Sequence, residues 1–364
     1  MIESLQTGGS ERQFVALSRS LDDNRFQVNL GCIRARGAFL EGLSPVTFPL
    51  GGSLYGLQSW KTRLGLSRHL RGQGIAVAHA FDYYSNLTLI PSARLARVPV
   101  VIGSQRQLGD LLTPLQSRAQ TAIFRWCDSV VCNSSAAAQR LVDSGLDKKK
   151  ITVIWNGLGP EAFAAAVPML PQRSGWLRVG MIARMNSVAK NHLLFLRAAA
   201  QLKNIGAQVE FILAGDGPLR PQLEQEATEL GLGDRVNFLG DCRDVPSVLA
   251  SLDLTVLPSA SESLSNAIIE SMAAGVPVIA TDVGGNSDLL AEDRGILVPL
   301  GNESYLARAI ARLLQQDALR LQMGHNCRCF AQNNFTLEKM GRQYSALYLR
   351  LLEDKIWRSK RPSG

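Results

Sequence analysis

The stretch Leu254-Thr-Val-Leu-Pro-Ser-Ala-Ser-Glu-Ser-Leu-Ser-Asn-Ala-Ile-Ile-Glu-Ser-Met-Ala-Ala-Gly-Val-Pro-Val-Ile-Ala-Thr281 decides the fold. Its ends, Leu254 to Leu257 and Pro277 to Thr281, are short apolar runs of the kind that form strands buried on both faces. Between them lie a serine-rich loop and a helical pattern from Ser265 to Ala274. Strand, loop, helix and strand at this spacing make one unit of a parallel sheet.

The same alternation extends outward. Apolar runs at Leu177 to Ala183, Val209 to Ala214, Val236 to Leu239 and Gly295 to Val298 alternate with helical patterns at His192 to Lys203, Pro218 to Leu230 and Ser304 to Gln316. A doubly wound parallel sheet follows. The first half repeats the rhythm less clearly, with strands expected at Phe26 to Ile33, Val46 to Pro49, Ala76 to Phe81, Val98 to Gly103, Ser129 to Cys132 and Ile151 to Ile154. Asn156 to Ser174 is rich in Gly, Pro and Ala without periodicity and reads as a linker. The expected division is therefore a first α/β domain over 1–158, a second over 175–335, and a closing helical segment over 336–364 that crosses back to the first.

Composition supports two folded domains. The 364 residues are 46% hydrophobic and 19% charged, which excludes a disordered chain. The N-terminus is polar and lacks the apolar core of a signal peptide, and no uncharged run is long enough to span a membrane. The six cysteines are scattered and read as reduced cytosolic thiols. Cys327 and Cys329, with His325 as the near neighbour, fall short of a metal site. The net charge is +8, with basic clusters at Arg68 to Arg71, Lys148 to Lys150 and Arg358 to Arg361. None is interleaved with aromatics as a nucleic-acid platform would be. The charge points instead to phosphorylated ligands or an anionic membrane surface.

Three places carry chemistry. Arg184 and Lys190 follow the first strand of the second domain, where two cations beside free backbone N–H groups suit a diphosphate. In Leu213-Ala-Gly-Asp-Gly-Pro218, Gly215 and Gly217 permit a tight turn, and Pro218 suits the first position of a helix. Glu262 lies in the loop after a strand, and Glu270 follows eight residues later, about two helical turns on, within an apolar run. Carboxylates accept hydrogen bonds from sugar hydroxyls, and the N–H groups of Ser263 to Asn266 suit phosphate oxygens.

These elements, with Val236-Asn-Phe-Leu-Gly240, Gly275-Val-Pro-Val-Ile-Ala-Thr-Asp-Val-Gly-Gly285 and Gly295-Ile-Leu-Val-Pro-Leu-Gly-Asn302, occur together and in order. The series resembles the donor-binding domain of family 4 retaining glycosyltransferases. The first half resembles the acceptor side of that family through Thr7-Gly-Gly-Ser-Glu-Arg12, Val77-Ala-His-Ala-Phe81, Val131-Cys-Asn-Ser134 and Val153-Ile-Trp-Asn-Gly157. Ser10 and Gln13 are placed to form a capping box for the helix after the glycines.

The resemblance implies a GT-B fold, with two Rossmann-like doubly wound domains facing across a cleft. It implies transfer of a sugar, with retention, from a UDP- or GDP-sugar to a saccharide or lipid-linked acceptor in cell-surface glycan or polysaccharide synthesis. By that resemblance, Arg184 and Lys190 hold the diphosphate, Glu262 contacts the transferred sugar and Glu270 binds the ribose. Ser263, Leu264, Ser265 and Asn266 support phosphates, and Gly215 forms the turn beside them. The base sits by Gly240 to Arg243, and Gly8 and Gly9 lie near the diphosphate. His79 and Arg106 lie on the acceptor side. No cofactor and no metal are expected, nor is nucleic acid a partner; the protein is expected in the cytoplasm, peripheral on the inner membrane face.

Three departures stand out. Phe81 occupies a position where the family often has a second histidine, and Asn286-Ser-Asp288 stands where Pro-Glu is common. Ile2 to Leu5 is short and polar for a central strand, so the first strand is expected to be truncated and the given start to be internal to a longer frame. The alternative reading is an impaired nucleotide-sugar-binding or scaffold protein of the same fold. Non-hydrolysing epimerases share the two-domain shape but lack the paired glutamates. A dinucleotide oxidoreductase would need a G-x-G-x-x-G turn that is missing.

Overall fold

The computed structural model describes residues 1–110, 112–202 and 208–359. Lys203, at the end of one expected helix, and Lys360 and Arg361 of the basic tail lie outside the described residues. The chain divides into two compact units, Met1–Gly157 with Leu337–Gly364, and Leu158–Thr336.

In the first unit the strands are β1 (Gly31–Cys32), β2 (Val46–Thr47), β3 (Val77–His79), β4 (Val100–Gln105), β5 (Ser129–Cys132) and β6 (Ile151–Val153). β3 to β6 form a parallel sheet in sequence order, and β1 pairs with β2 in parallel. The short opening segment joins the two. Ile2 bridges Cys32, the Met1 amino group donates to His79 O at 2.7 Å, and Phe81 N–H donates to Met1 O at 3.0 Å. The segment expected to be too short and polar for a central strand is indeed no ladder. It is nonetheless buried, with Ile2 and Leu5 among the largest enclosed side chains.

The helix Leu337–Ser359 belongs to this unit. Met340, Tyr344, Leu347 and Tyr348 pack with Ile2, Phe14, Phe81 and Ile102 in one apolar cluster. Its far end is held by Lys355 Nζ, 2.6 Å from Asp128 Oδ1. The capping box expected at Ser10 and Gln13 does not form. The helix Gly9–Ser20 is capped by Gly8 without a side-chain bond. Gln13 turns inward instead, donating to Gly157 O and accepting from Gly157 N–H, both at 2.9 Å. A buried backbone pair left over at Gly157 competes for the amide and wins.

In the second unit the strands are β7 (Trp176–Ile182), β8 (Gln208–Ala214), β9 (Val236–Gly240), β10 (Leu254–Leu257), β11 (Val278–Thr281) and β12 (Gly295–Val298). All pair in parallel, in the order β12-β11-β10-β7-β8-β9. Both faces are covered, which is why the strands read as continuous apolar runs. Phe211 and Leu213 enter one cluster with Phe195 and Ile310, while Ile212 and Ala214 enter another with Val248 and Leu249.

Residues 158–174, read as part of a linker, are integral to this unit. Met169 N–H donates to Ser247 O, and the Arg178 guanidinium donates to the Leu170 and Pro171 carbonyls. Pro218 does not open a helix: it lies in a turn, the helix begins at Arg220, and Pro221 takes the early position that lacks an N–H partner.

Candidate active site

The sheet order of the second unit reverses between β7 and β10. Neighbouring strands there send their connections to opposite faces, which opens a crevice beyond their carboxyl ends. The residues leaving those two strands meet at this point. After β7 comes Arg184, exposed, then a short 3-10 turn Val188–Lys190 capped by Ser187, Asn191 in the left-handed region, and the helix His192–Gln201. After β10 comes the loop 258–265. Ala260 N–H donates to Ala189 O at 2.7 Å, and Lys190 Nζ sits 2.6 Å from Glu262 Oε1.

Glu262 is only 8% exposed. A carboxylate so enclosed needs a partner to offset the loss of water, and Lys190 provides it. Ser263, Leu264 and Ser265 are buried too. Ser265 Oγ accepts from Ile268 N–H and caps the helix Asn266–Ala274, which starts directly from this loop. Glu270 lies within that helix and is buried. Gly285 N–H donates to Glu262 O at 3.3 Å, so the exit of β11 also braces the loop.

The glycine turn after β8 is fixed by its surroundings. Gly215 has φ +136°, and a Cβ there would lie 2.1 Å from Ala183 O. Its N–H donates to Gly240 O at 2.8 Å, and Met185 N–H donates to Asp216 O. The turns after β7, β8 and β9 are thus sewn together by backbone bonds. Arg243 follows β9 and is exposed.

In the first unit, a cavity of about 350 Å³ opens at the carboxyl ends of β3 and β4, lined by Glu11, Asp82, Tyr83, Gln105, Arg106 and Gln120 among others. Arg106 is buried. It donates to Asn156 Oδ1 at 2.5 Å, lies near Tyr344 Oη and stacks over the Phe81 ring at 4.9 Å, while its Nε has no partner. His79 does not line this cavity. Its Nδ1 is 2.7 Å from Tyr348 Oη and its Nε2 is 2.7 Å from Ser104 Oγ. Burial, then the Met1 amino group and Arg106, push its pKa well below 6.5, so the ring is neutral. Gly8 caps its helix in extended conformation, with the Glu11 carboxylate folded over it, and Gly9 is exposed at the helix start.

Sequence reasoning missed Asp82. It caps the helix Tyr83–Leu95 in a capping box with Ser85, and accepts from Glu3 N–H at 2.5 Å. The Asp-x-x-Ser spacing was the available signal. Asn286, fully buried after β11 with Nδ2 donating to Thr281 O, was seen only as a departure.

Comparisons with known proteins agree with this layout. Residues 177–316 match the family model described as Glycosyl transferases group 1, and residues 7–162 match Glycosyltransferase Family 4. The lipopolysaccharide core biosynthesis glycosyltransferase LpsE of Rhizobium meliloti is 31% identical over 250 residues, 68% of this chain and 69% of LpsE. The chain belongs to glycosyltransferase family 4. Another relative of this glycosyltransferase is the UDP-Gal:alpha-D-GlcNAc-diphosphoundecaprenol alpha-1,3-galactosyltransferase of Escherichia coli, 25% identical over 319 residues, 82% of this chain and 81% of that enzyme. The solved structure of Anabaena Alr3699/HepE in complex with UDP superimposes with a TM-score of 0.83 at 22% identity, covering 95% of this chain and 97% of that one. The fold of the glycosyltransferase is GT-B. Among its described residues no helix is long and apolar enough to cross a membrane.

Proposed function

We propose that this glycosyltransferase moves a sugar from a UDP- or GDP-sugar to a saccharide or lipid-linked acceptor, with retention at the anomeric carbon, in the synthesis of a cell-surface glycan or polysaccharide. The observation that carries the reading is the Lys190–Glu262 ion pair where the sheet order reverses. An ammonium held beside a helix N-terminus, with an exposed guanidinium two residues past the strand, is suited to a diphosphate leaving group. UDP in the Anabaena structure and the donor and lipid-linked acceptor in the E. coli enzyme's name favour the same classes here.

In this mechanism Arg184, Lys190 and the N–H groups of Ser263 to Asn266 stabilise the charge that grows on the diphosphate as the bond from the anomeric carbon to its oxygen breaks. Glu262, oriented by Lys190, accepts from hydroxyls of the transferred sugar, and Glu270 from the ribose. The base lies by Gly240 and Arg243, beside the Gly215 turn. The acceptor oxygen forms the new bond on the same face, and its proton passes to the departing phosphate. Arg106, which lines the first unit's own cavity, is assigned to the acceptor. Neutral His79 positions Ser104 and Tyr348 rather than carrying charge. The protein supplies the positive charge itself, so no metal is required. A lipid-linked acceptor puts this work at the cytoplasmic face of an anionic membrane.

The deciding experiment is a thermal-shift panel of UDP, GDP and their sugars, followed by turnover with the best donor. A donor at 100 times its Kd raises stability by about 2.7 kcal/mol. Lys190→Ala and Glu262→Ala should each lower turnover by about a hundredfold or more. Full turnover in both variants, or no shift with any nucleotide, overturns the proposal.

A further inference from the structure

The helix Leu57–Gly72 carries apolar side chains on two opposite faces. Leu66 and Leu70 point into the first unit's core and are 2% and 7% exposed. Leu57, Trp60 and Leu64 point the other way and are 84%, 61% and 46% exposed. Three largely water-facing apolar side chains on one helix are more than the unit's core uses.

Their neighbours are basic. At about 100° per residue, Leu57, Trp60, Lys61, Leu64, Arg68 and Arg71 fall within an arc of about 100°. The helix, LQSWKTRLGLSRHLRG, holds no acidic residue at all. Tyr55, just before it, is 75% exposed, and the Arg63 guanidinium sits over the Trp60 ring. The surface continues beyond the helix end. Arg71 donates to Leu95 O and Arg94 to Trp126 O, and both Leu95 and Trp126 are exposed. Lys150 in turn donates to Arg125 O, which brings in the Lys148 to Lys150 cluster.

We infer that this face is an interfacial membrane anchor, with Leu57, Trp60 and Leu64 entering the headgroup boundary of an anionic bilayer and Lys61, Arg68 and Arg71 pairing with its phosphates. A basic helix face mixed with Trp and Leu suits the boundary between headgroups and acyl chains. Charge complementarity selects the lipid: an arc with three cations and no acid repels a second copy of itself. Leu57 and Leu64 give the face an aliphatic component that a nucleic acid, held by stacking and phosphate contacts, does not use. The inference rests on the membrane part of the proposed function and not on the transfer chemistry.

The test is co-sedimentation of the full chain with vesicles of phosphatidylcholine, alone or mixed with phosphatidylglycerol, beside Leu57→Ser/Trp60→Ser/Leu64→Ser and Lys61→Gln/Arg68→Gln/Arg71→Gln variants. The native chain should bind the mixed vesicles far better than the neutral ones. Removing the three charges should weaken binding about a hundredfold, from about fivefold per basic residue. The apolar triple variant should lose binding with an unchanged Tm, because its residues are exposed. Donor hydrolysis in solution should be equal in all three proteins, which separates this inference from failure of the catalytic reading. Equal binding to both vesicle types, no binding by the native chain, or undiminished binding by either variant overturns it. So does a native dimer that the apolar variant converts to monomer, which would mean that a second copy covers the face.

Discussion

Lys190 Nζ lies 2.6 Å from Glu262 Oε1, and the two residues leave neighbouring strands at the place where the order of the second sheet reverses. The pair is asymmetric: the Glu262 side chain is 9% exposed and that of Lys190 33%. Removing the lysine strands a buried carboxylate, whereas removing the carboxylate leaves an ammonium with access to water. Lys190→Ala should therefore cost stability, about 1–3 kcal/mol, in addition to lowering kcat by about a hundredfold or more. Glu262→Gln should lower kcat with a smaller change in stability. Urea unfolding alongside steady-state kinetics separates the two effects, and equal stability losses in both variants would contradict the asymmetry.

Gly215→Ala should be among the most damaging single substitutions outside the ion pair. A Cβ there meets Ala183 O at 2.1 Å, and φ is +136°. The clash is with backbone and cannot be relieved by a rotamer change. A loss of at least about 2 kcal/mol is expected, read from urea midpoints. Donor affinity should fall with it, because the turns after β7 and β9 are bonded to this one.

The second unit was legible because its strands are buried on both faces and so appear as unbroken apolar runs. The loop from Pro258 to Ser265 announced itself by its glutamate and serines beside such a run. The first unit was harder for a physical reason. β1 and β2 are two residues each, too short to impose a period, and Phe26 to Leu30 lies outside any strand despite its alternation. Local chemistry misled at Ser10 and Gln13, where a cap was spelled out but the buried Gly157 backbone took the amide. The partners of Arg106 and His79 on the last helix lie 238 and 269 residues away, a separation that carries no local signal.

Stability should decline below neutral pH in a way that His79 explains. Its folded pKa is depressed by burial, so the unfolded chain takes up a proton near 6.5 while the folded chain does not. Unfolded states then bind more protons, and stability is full above 6.5 and falls as pH drops through it. The loss between about pH 7.5 and 5.5 is about 1.4 kcal/mol for a group that stays neutral in the fold. His192 is shifted in the same direction, also chiefly by burial. Denaturation of His79→Gln at the two pH values should show a smaller difference than the native chain; an equal difference would mean that His79 is protonated in the folded state.

Turnover should be indifferent to chelators. In the proposed mechanism Lys190 and Arg184 supply the cations for the leaving group, so EDTA is expected to leave kcat unchanged. A loss restored by magnesium or manganese would assign that charge to a metal instead.

The last helix should detach first when Asp128 is altered. Asp128 accepts from Lys355 Nζ at 2.6 Å, from Arg94 Nη2 at 2.9 Å and from Val101 N–H at 2.8 Å. Burial alone would raise its pKa, but the Lys355 and Val101 hydrogen bonds and the Arg94 charge outweigh that and hold it below 3.8. A carboxylate with a depressed folded pKa contributes stability that is present above its ordinary value and lost as pH falls through the folded one. Asp128→Asn keeps the shape but drops both ion pairs, at a cost of about 1–2 kcal/mol given that Lys355 and Arg94 are partly solvated. The helix spans from the apolar cluster at Met340 and Tyr344 to this polar clasp, so its C-terminal turns should lose hydrogen-exchange protection before the cluster does. The variant should also lose less stability than the native chain on going to acid. Protection lost evenly along Leu337–Ser359 would show that the helix docks as one unit and that the clasp is not its independent fastening.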